Sequence, residues 1–156
     1  MTATVTHNRE FLMHLAQFHN TSQEFFQLVQ RYPLALVDKP GACGQWSPRE
    51  TLAYLCGWVA EADAQFGDYD QKQHTRLPFD VDTFNQQSIA RRDGQEWRKT
   101  VTELYWRTQD LISHAVKSDT RHYTTDPRYQ QWLLDLSNEF AERGAQLRQF
   151  AAARRA

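Results

Sequence analysis

Residues 47–50 encode the start of a helix. Ser47 is a preferred N-cap type, and Pro48 suits the first helical position, where no N–H is needed. Glu50 stands three residues after the cap, close enough for its carboxylate to reach back to the cap's own N–H. Behind this start, Leu52, Leu55, Val59, Ala62 and Phe66 recur at three- and four-residue spacing. That spacing lays one apolar stripe along the helix, which must be buried against other elements. The helix fades near Gly67–Asp70.

Three further helical stretches show the same period. The first spans about Thr6–Arg31, with Phe11, Leu15, Phe18, Phe25 and Val29 on one stripe and Pro33 as its stop. After the polar loop Gln71–Pro78, a short helix is expected over Asp82–Arg92. Gly94 then interrupts, and a long helix follows over about Gln95–Lys117, its inner face running from Trp97 through Leu104 and Leu111 to Ala115. The last helix starts with Asp126 as cap and Pro127 in the first turn, and carries Trp132, Leu136, Phe140, Leu147 and Phe150. Gly144 is expected to mark a close approach by a neighbouring helix, and Ala151–Ala156 to fray. No run of alternating residues long enough for a strand is present.

Composition narrows the class. The chain has 156 residues, enough for one domain that folds without a disulfide or a metal. Its 18 Lys+Arg against 19 Asp+Glu leave a net charge of −1, so no basic face calls for nucleic acid. The paired cations Arg91–Arg92 and Arg154–Arg155 read as solvated helix ends. No 18-residue apolar run is available to span a membrane, and Met1–Arg9 lacks the apolar core of a signal peptide, so a cytoplasmic protein is expected. Cys43 and Cys56 form no CxxC pattern; Cys56 reads as core, Cys43 as an exposed loop thiol. His7, His14, His19, His74, His114 and His122 are scattered without a ligand-like pair.

The segment Gln45–Trp58, QWSPRETLAYLCGW, resembles the second-helix signature of the DinB-like four-helix-bundle superfamily, in which Trp-Ser-x-Arg-Asp/Glu leads into Leu-Ala-His-Leu-x-x-Trp. Trp46, Ser47, Arg49, Glu50, Leu52, Ala53, Leu55 and Trp58 match. Phe84–Gln87 is similar to the Asn-Gln-Gln element of the ClbS/DfsB branch, and Asn138–Arg143 stands where the superfamily often has His-x-x-x-His. The resemblance covers most of the chain. It implies an all-α, antiparallel four-helix bundle, with one additional short helix before the third long helix, over residues 1–156.

Metal-using members of that superfamily hold a divalent cation with three histidines, one on the second helix and two on the last. The corresponding positions here are Tyr54, Glu139 and Arg143; a one-residue slip substitutes Asn138 and Glu142. An arginine stays protonated and cannot be a ligand, so no metal and no cofactor are expected. Tyr54, Glu139 and Arg143 become the candidate catalytic set, as hydroxyl nucleophile or acid, water-positioning base and anion stabiliser. Trp58, Asn85 and Trp132 are candidate ligand-binding residues, with Tyr123 near the mouth. Trp46, at the hydrophobic-staple position, reads as structural.

Two functional readings stay open. One is a metal-independent hydrolase, transferase or self-protection protein acting on an electrophilic small molecule, as the ClbS/DfsB resemblance implies. The other is a non-catalytic ligand-binding or protein-interaction bundle, in which the same three residues form a satisfied polar cluster that replaced the metal. A small molecule and a second copy of the chain are the expected partners.

Overall fold

The capping box forms as the residues predict. Ser47 Oγ accepts from the Glu50 N–H at 3.1 Å, while Glu50 Oε1 accepts from the Ser47 N–H at 3.0 Å. The computed structural model describes residues 2–70, 80–117 and 127–154. They form helix α1 (Thr2–Gln30), a 3-10 turn (Leu34–Leu36) and helices α2 (Pro48–Asp70), α3 (Val81–Ala90), α4 (Trp97–Lys117) and α5 (Pro127–Ala153). Among the described residues there is no strand, only an isolated bridge between Cys43 and Trp46.

Most boundaries fall where the punctuation puts them, and the departures have local causes. Helix α3 starts one residue earlier than expected because Asp80 caps it, its carboxylate accepting from the Asp82 N–H at 2.9 Å. Gly94 sits in the turn after α3 with φ +76°, a conformation glycine adopts without steric cost. The fraying expected over Ala151–Ala156 does not begin at Ala151: α5 continues to Ala153, with Phe150 and Ala151 buried and the Arg154 guanidinium 3.5 Å from the Phe150 ring centroid, and residues 155–156 lie outside the described residues. Helix α1 begins at Thr2 instead of Thr6. The loop Gln71–Pro78 and the Asp126 cap lie outside the described residues.

Each long helix has two long neighbours: α2 packs on α4 and α5, and α1 packs on α5 and α4. The contacts also give direction. Phe26 meets Tyr105 and Tyr32 meets Trp97, so α1 and α4 run oppositely; Tyr54 meets Glu139 and Phe66 meets Tyr129, so α2 and α5 do too. Phe18 meets Phe140 and Tyr32 bonds the Leu147 carbonyl, so α1 and α5 run together. Cys56 meets Thr100 and Asp63 meets His114, so α2 and α4 also run together. Of the four seams, α1–α4 and α2–α5 are thus antiparallel, as the bundle expected from sequence has them, while α1–α5 and α2–α4 are parallel.

The chain between α2 and α4 makes the parallel seam reachable. A parallel pair needs a crossover that returns the chain to the starting end. Helix α3 lies on that path, with Phe84 against Trp58 at 4.5 Å and Ser88 against Gly57. A Cβ on Gly57 would lie 2.2 Å from Ser88 Oγ, so the two backbones approach only because residue 57 has no side chain. Arg49 fastens the far end: its NH1 donates to the Gln95 carbonyl at 3.1 Å and its Nε to Asp38 at 2.6 Å. These contacts tie the start of α2 to the loop after α1 and to the turn before α4.

Phe11, Leu15, Phe18, Phe25 and Val29 of the first stripe are all buried, as are the expected stripe residues of α2. Phe140 is the hub of the α1–α5 seam, touching the rings of Phe18, Phe25 and Phe26. Gly144 admits Phe25, whose ring would lie 3.4 Å from an added Cβ. The close approach expected at Gly144 is real.

Candidate functional site

The seam between α2 and α5 opens into a cavity of about 430 Å³. Tyr54 and Trp58, four residues apart on α2, form one wall. Helix α5 forms the other, with Arg128, Gln131, Trp132, Asp135, Asn138 and Glu139 along one face. Four of the six site residues named from sequence therefore line a single cavity: Tyr54, Trp58, Trp132 and Glu139. Arg143 and Asn85 stand behind the walls and hold them in place.

Tyr54 is buried and its hydroxyl donates to Glu139 Oε2 at 3.0 Å. Arg143 Nε donates to the same oxygen at 3.1 Å, and Arg143 NH1 donates to Gln146 Oε1 at 3.0 Å. The guanidinium carbon lies 5.1 Å from the Tyr54 ring centroid and 5.9 Å from that of Trp46, within cation–π range of both. Trp46 in turn packs on Tyr54 at 4.7 Å. Read from sequence as a helix staple, Trp46 is the backing of the pocket's tyrosine.

Burial pushes the Tyr54 phenol above its ordinary value, and the Glu139 carboxylate adds to this against the opposing pull of Arg143. The hydroxyl therefore stays protonated at neutral pH and acts as a donor. Both bonds to Glu139 fall on Oε2; among the described residues neither uses Oε1. Glu139 thus presents to the cavity a carboxylate with one oxygen pinned from behind.

Trp58 is held by α3. Its Nε1–H donates to Asn85 Oδ1 at 2.8 Å, and Phe84 packs on its ring. Asn85 acts on the site by holding that indole in place. Trp132 lies across the seam, its centroid 6.1 Å from that of Trp58 and its plane tilted by 40°. Asp135 is held one turn further along α5 by Gln131 Nε2, which donates to Oδ1 at 2.7 Å. Neither Gln131 nor Asp135 was singled out by sequence; both lie on the α5 face that Trp132 and Glu139 define, and that face is the signal that marks them. Tyr123 lies outside the described residues.

This donor set does not fit the divalent cation that the superfamily resemblance implies. The Glu139 oxygen nearest Tyr54 already accepts from a permanently protonated guanidinium, and the phenol is held neutral. Among the described residues no three His, Cys, Asp or Glu side chains gather in a way that could hold a metal ion.

A second carboxylate–arginine cluster, unseen in the sequence, lies where α3 and α4 meet. Glu103 accepts from Arg92 Nε and NH2, from Arg107 Nε and from Gln95 Nε2, at 2.6–3.3 Å. Burial opposes ionisation of Glu103, but the bonds from Arg92 and Arg107 outweigh it and hold the carboxyl at about 2. Arg92, read as a solvated helix end, is corrected: only 10% of its side chain is exposed. Cys43 is corrected too. Its residue is 3% exposed, tucked under Trp46 by the bond from its N–H to the Trp46 carbonyl, and burial pushes the thiol up. Cys56 is core, as expected, with its thiol raised to about 12 by burial and by Glu103.

Compared with protein-family models, curated proteins and solved structures, the chain matches none. Among the described residues no helix is long and apolar enough to cross a membrane.

Proposed function

We propose that the chain is a small-molecule-binding bundle of the DinB-like type, ClbS/DfsB branch, in which a tyrosine–glutamate–arginine cluster occupies the place of a metal site. The observation that carries this reading is the convergence of Tyr54, Trp58, Trp132 and Glu139 on one cavity of about 430 Å³, a size typical of ligand pockets. Two aromatic walls supply contact area, and polar groups fixed from behind supply orientation. The motif residues that support the family reading are the ones that build this cavity: Trp46 backs Tyr54, and Asn85 of the Asn-Gln-Gln element fixes Trp58.

Ligand-observed NMR with a fragment collection tests the binding reading. Hits should compete with one another and be lost in Trp132→Ala. A hit set unchanged by Trp132→Ala and by Glu139→Gln would place binding elsewhere and overturn the proposal.

A catalytic version of the same pocket has one specific support: Glu139 lines the cavity with Oε1 uncommitted, the position of a water-activating base. Here Tyr54 is a neutral donor and no longer the nucleophile considered from sequence, because burial favours its protonated form. Turnover of a bound electrophile that survives undiminished in Glu139→Gln would sink this version and leave the binding version standing.

A further inference from the structure

We infer that the α2/α5 cavity selects an organic cation, a protonated or quaternary amine carried on an aromatic or similarly flat body. This inference rests on the binding reading above and names the ligand class of that same cavity. The first observation is the aromatic corner. Trp58 and Trp132 stand with centroids 6.1 Å apart and planes tilted by 40°, forming a wedge instead of a closed stack. A cation at the mouth of such a wedge lies within about 6 Å of both ring centroids, the range over which the negative π faces attract it. The wedge is fixed: Asn85 bonds the Trp58 indole N–H and Phe84 packs on its ring.

A second, independent observation sets the polarity of the remaining wall. Asp135 and Glu139 line the cavity one helical turn apart, and each is pinned through one oxygen only, Asp135 Oδ1 by Gln131 and Glu139 Oε2 by Tyr54 and Arg143. The donor to Asp135 is a neutral amide, so its negative charge is not cancelled by that bond. Arg143 offsets Glu139 from behind Tyr54 and is absent from the cavity wall. Among the described residues the one cation on that wall is Arg128, one turn before Trp132 and two turns before Asp135 on α5, so two carboxylates face a single guanidinium. The end of the cavity that holds Trp132, Asp135 and Glu139 therefore offers π faces and carboxylate oxygens together, and both favour positive charge.

A charge series of one shape tests the inference on the full chain. Benzylammonium, benzyl alcohol and benzoate are titrated at neutral pH and low salt, with tryptophan fluorescence and ligand-observed NMR as readouts. Benzylammonium should bind at least about fivefold tighter than benzyl alcohol, benzoate weakest, and added salt should narrow the gap. Asp135→Asn, an exposed position, and Trp132→Ala should each reduce the preference for benzylammonium over benzyl alcohol, with thermal unfolding confirming that both variants fold. Equal binding of benzyl alcohol and benzylammonium, or tighter binding of benzoate, overturns the cation class and leaves the pocket reading intact. No saturable binding of any of the three up to tens of millimolar overturns both.

Discussion

Two glutamates in this bundle carry the same local device and end in opposite situations. Glu103 and Glu139 each have an arginine four residues on, Arg107 and Arg143, on the same helix face. At Glu103 both carboxylate oxygens are filled, by Arg92, Arg107 and Gln95, where α3 and α4 meet. At Glu139 both bonds crowd onto one oxygen, the other accepts none from the described residues, and the residue lines a cavity. The i,i+4 pair is thus uninformative by itself. What separates a structural knot from a candidate site is whether the carboxylate is saturated by the protein.

The same substitution at both positions should split them most widely. Glu103→Ala leaves the nearly buried Arg92 guanidinium without its counter-charge, and a cost of about 3 kcal/mol is expected from urea unfolding. Acid adds a second reading of the same knot. The folded Glu103 carboxyl sits at about 2, below its ordinary value of 4.5. Its contribution to stability is therefore present above pH 4.5 and lost as the pH falls from there towards 2. Stability measured across that window should fall more steeply in the native chain than in Glu103→Gln; parallel curves would break the claim that this carboxylate is the saturated one.

Next in size is Gly57→Ala. Its methyl would land on Ser88, and since α3 also carries Phe84 and Asn85, overpacking of about 2 kcal/mol is expected. The double variant Gly57→Ala/Ser88→Gly should recover most of that loss. A single variant as stable as the native chain would mean that α3 is not held where the wedge requires it.

How much of this could be read beforehand differs by the range of the interaction. The helix start at Ser47–Glu50, the stripe of α1 and the close approach at Gly144 all follow from spacing within one helix, and all are found. The Tyr54–Glu139 contact was reachable only because a motif placed both residues, 85 positions apart, at facing sites. The Arg92–Glu103 knot, the Gly57–Ser88 contact and the burial of Cys43 had no such guide. Each depends on how the α3 segment or the loop after α1 lies against α2 or α4, and hydrophobic period says nothing about that. The parallel seam between α2 and α4 was not legible for the same reason: a crossover is a property of the path, and periodicity reports only faces.

Glu139→Ala should cost less than its counterpart, about 1.5 kcal/mol, because Arg143 keeps Gln146 and the Trp46 and Tyr54 rings. A loss equal to that of Glu103→Ala would erase the distinction between the two clusters and make Glu139 a structural residue.

Tyr54→Phe is the smallest and sharpest change, expected to cost at most about 1 kcal/mol, since the ring contacts to Trp46 and Arg143 persist and only one donor to Glu139 is removed. Its value lies at alkaline pH. The folded phenol is raised above its ordinary value of 10.0, first by burial and then by Glu139, so its contribution to stability is present below pH 10 and lost as the pH rises beyond it. Tyr32 is raised as well, to about 12, and the total ultraviolet titration sums all six tyrosines of the chain. Subtracting the Tyr54→Phe titration from that of the native chain isolates Tyr54. A difference curve with its midpoint above the ordinary value places the proton on the phenol, shared towards Glu139. A midpoint well below it would mean that Arg143 outweighs burial and Glu139 and eases ionisation of the phenol, and the nucleophilic role set aside for Tyr54 would be restored.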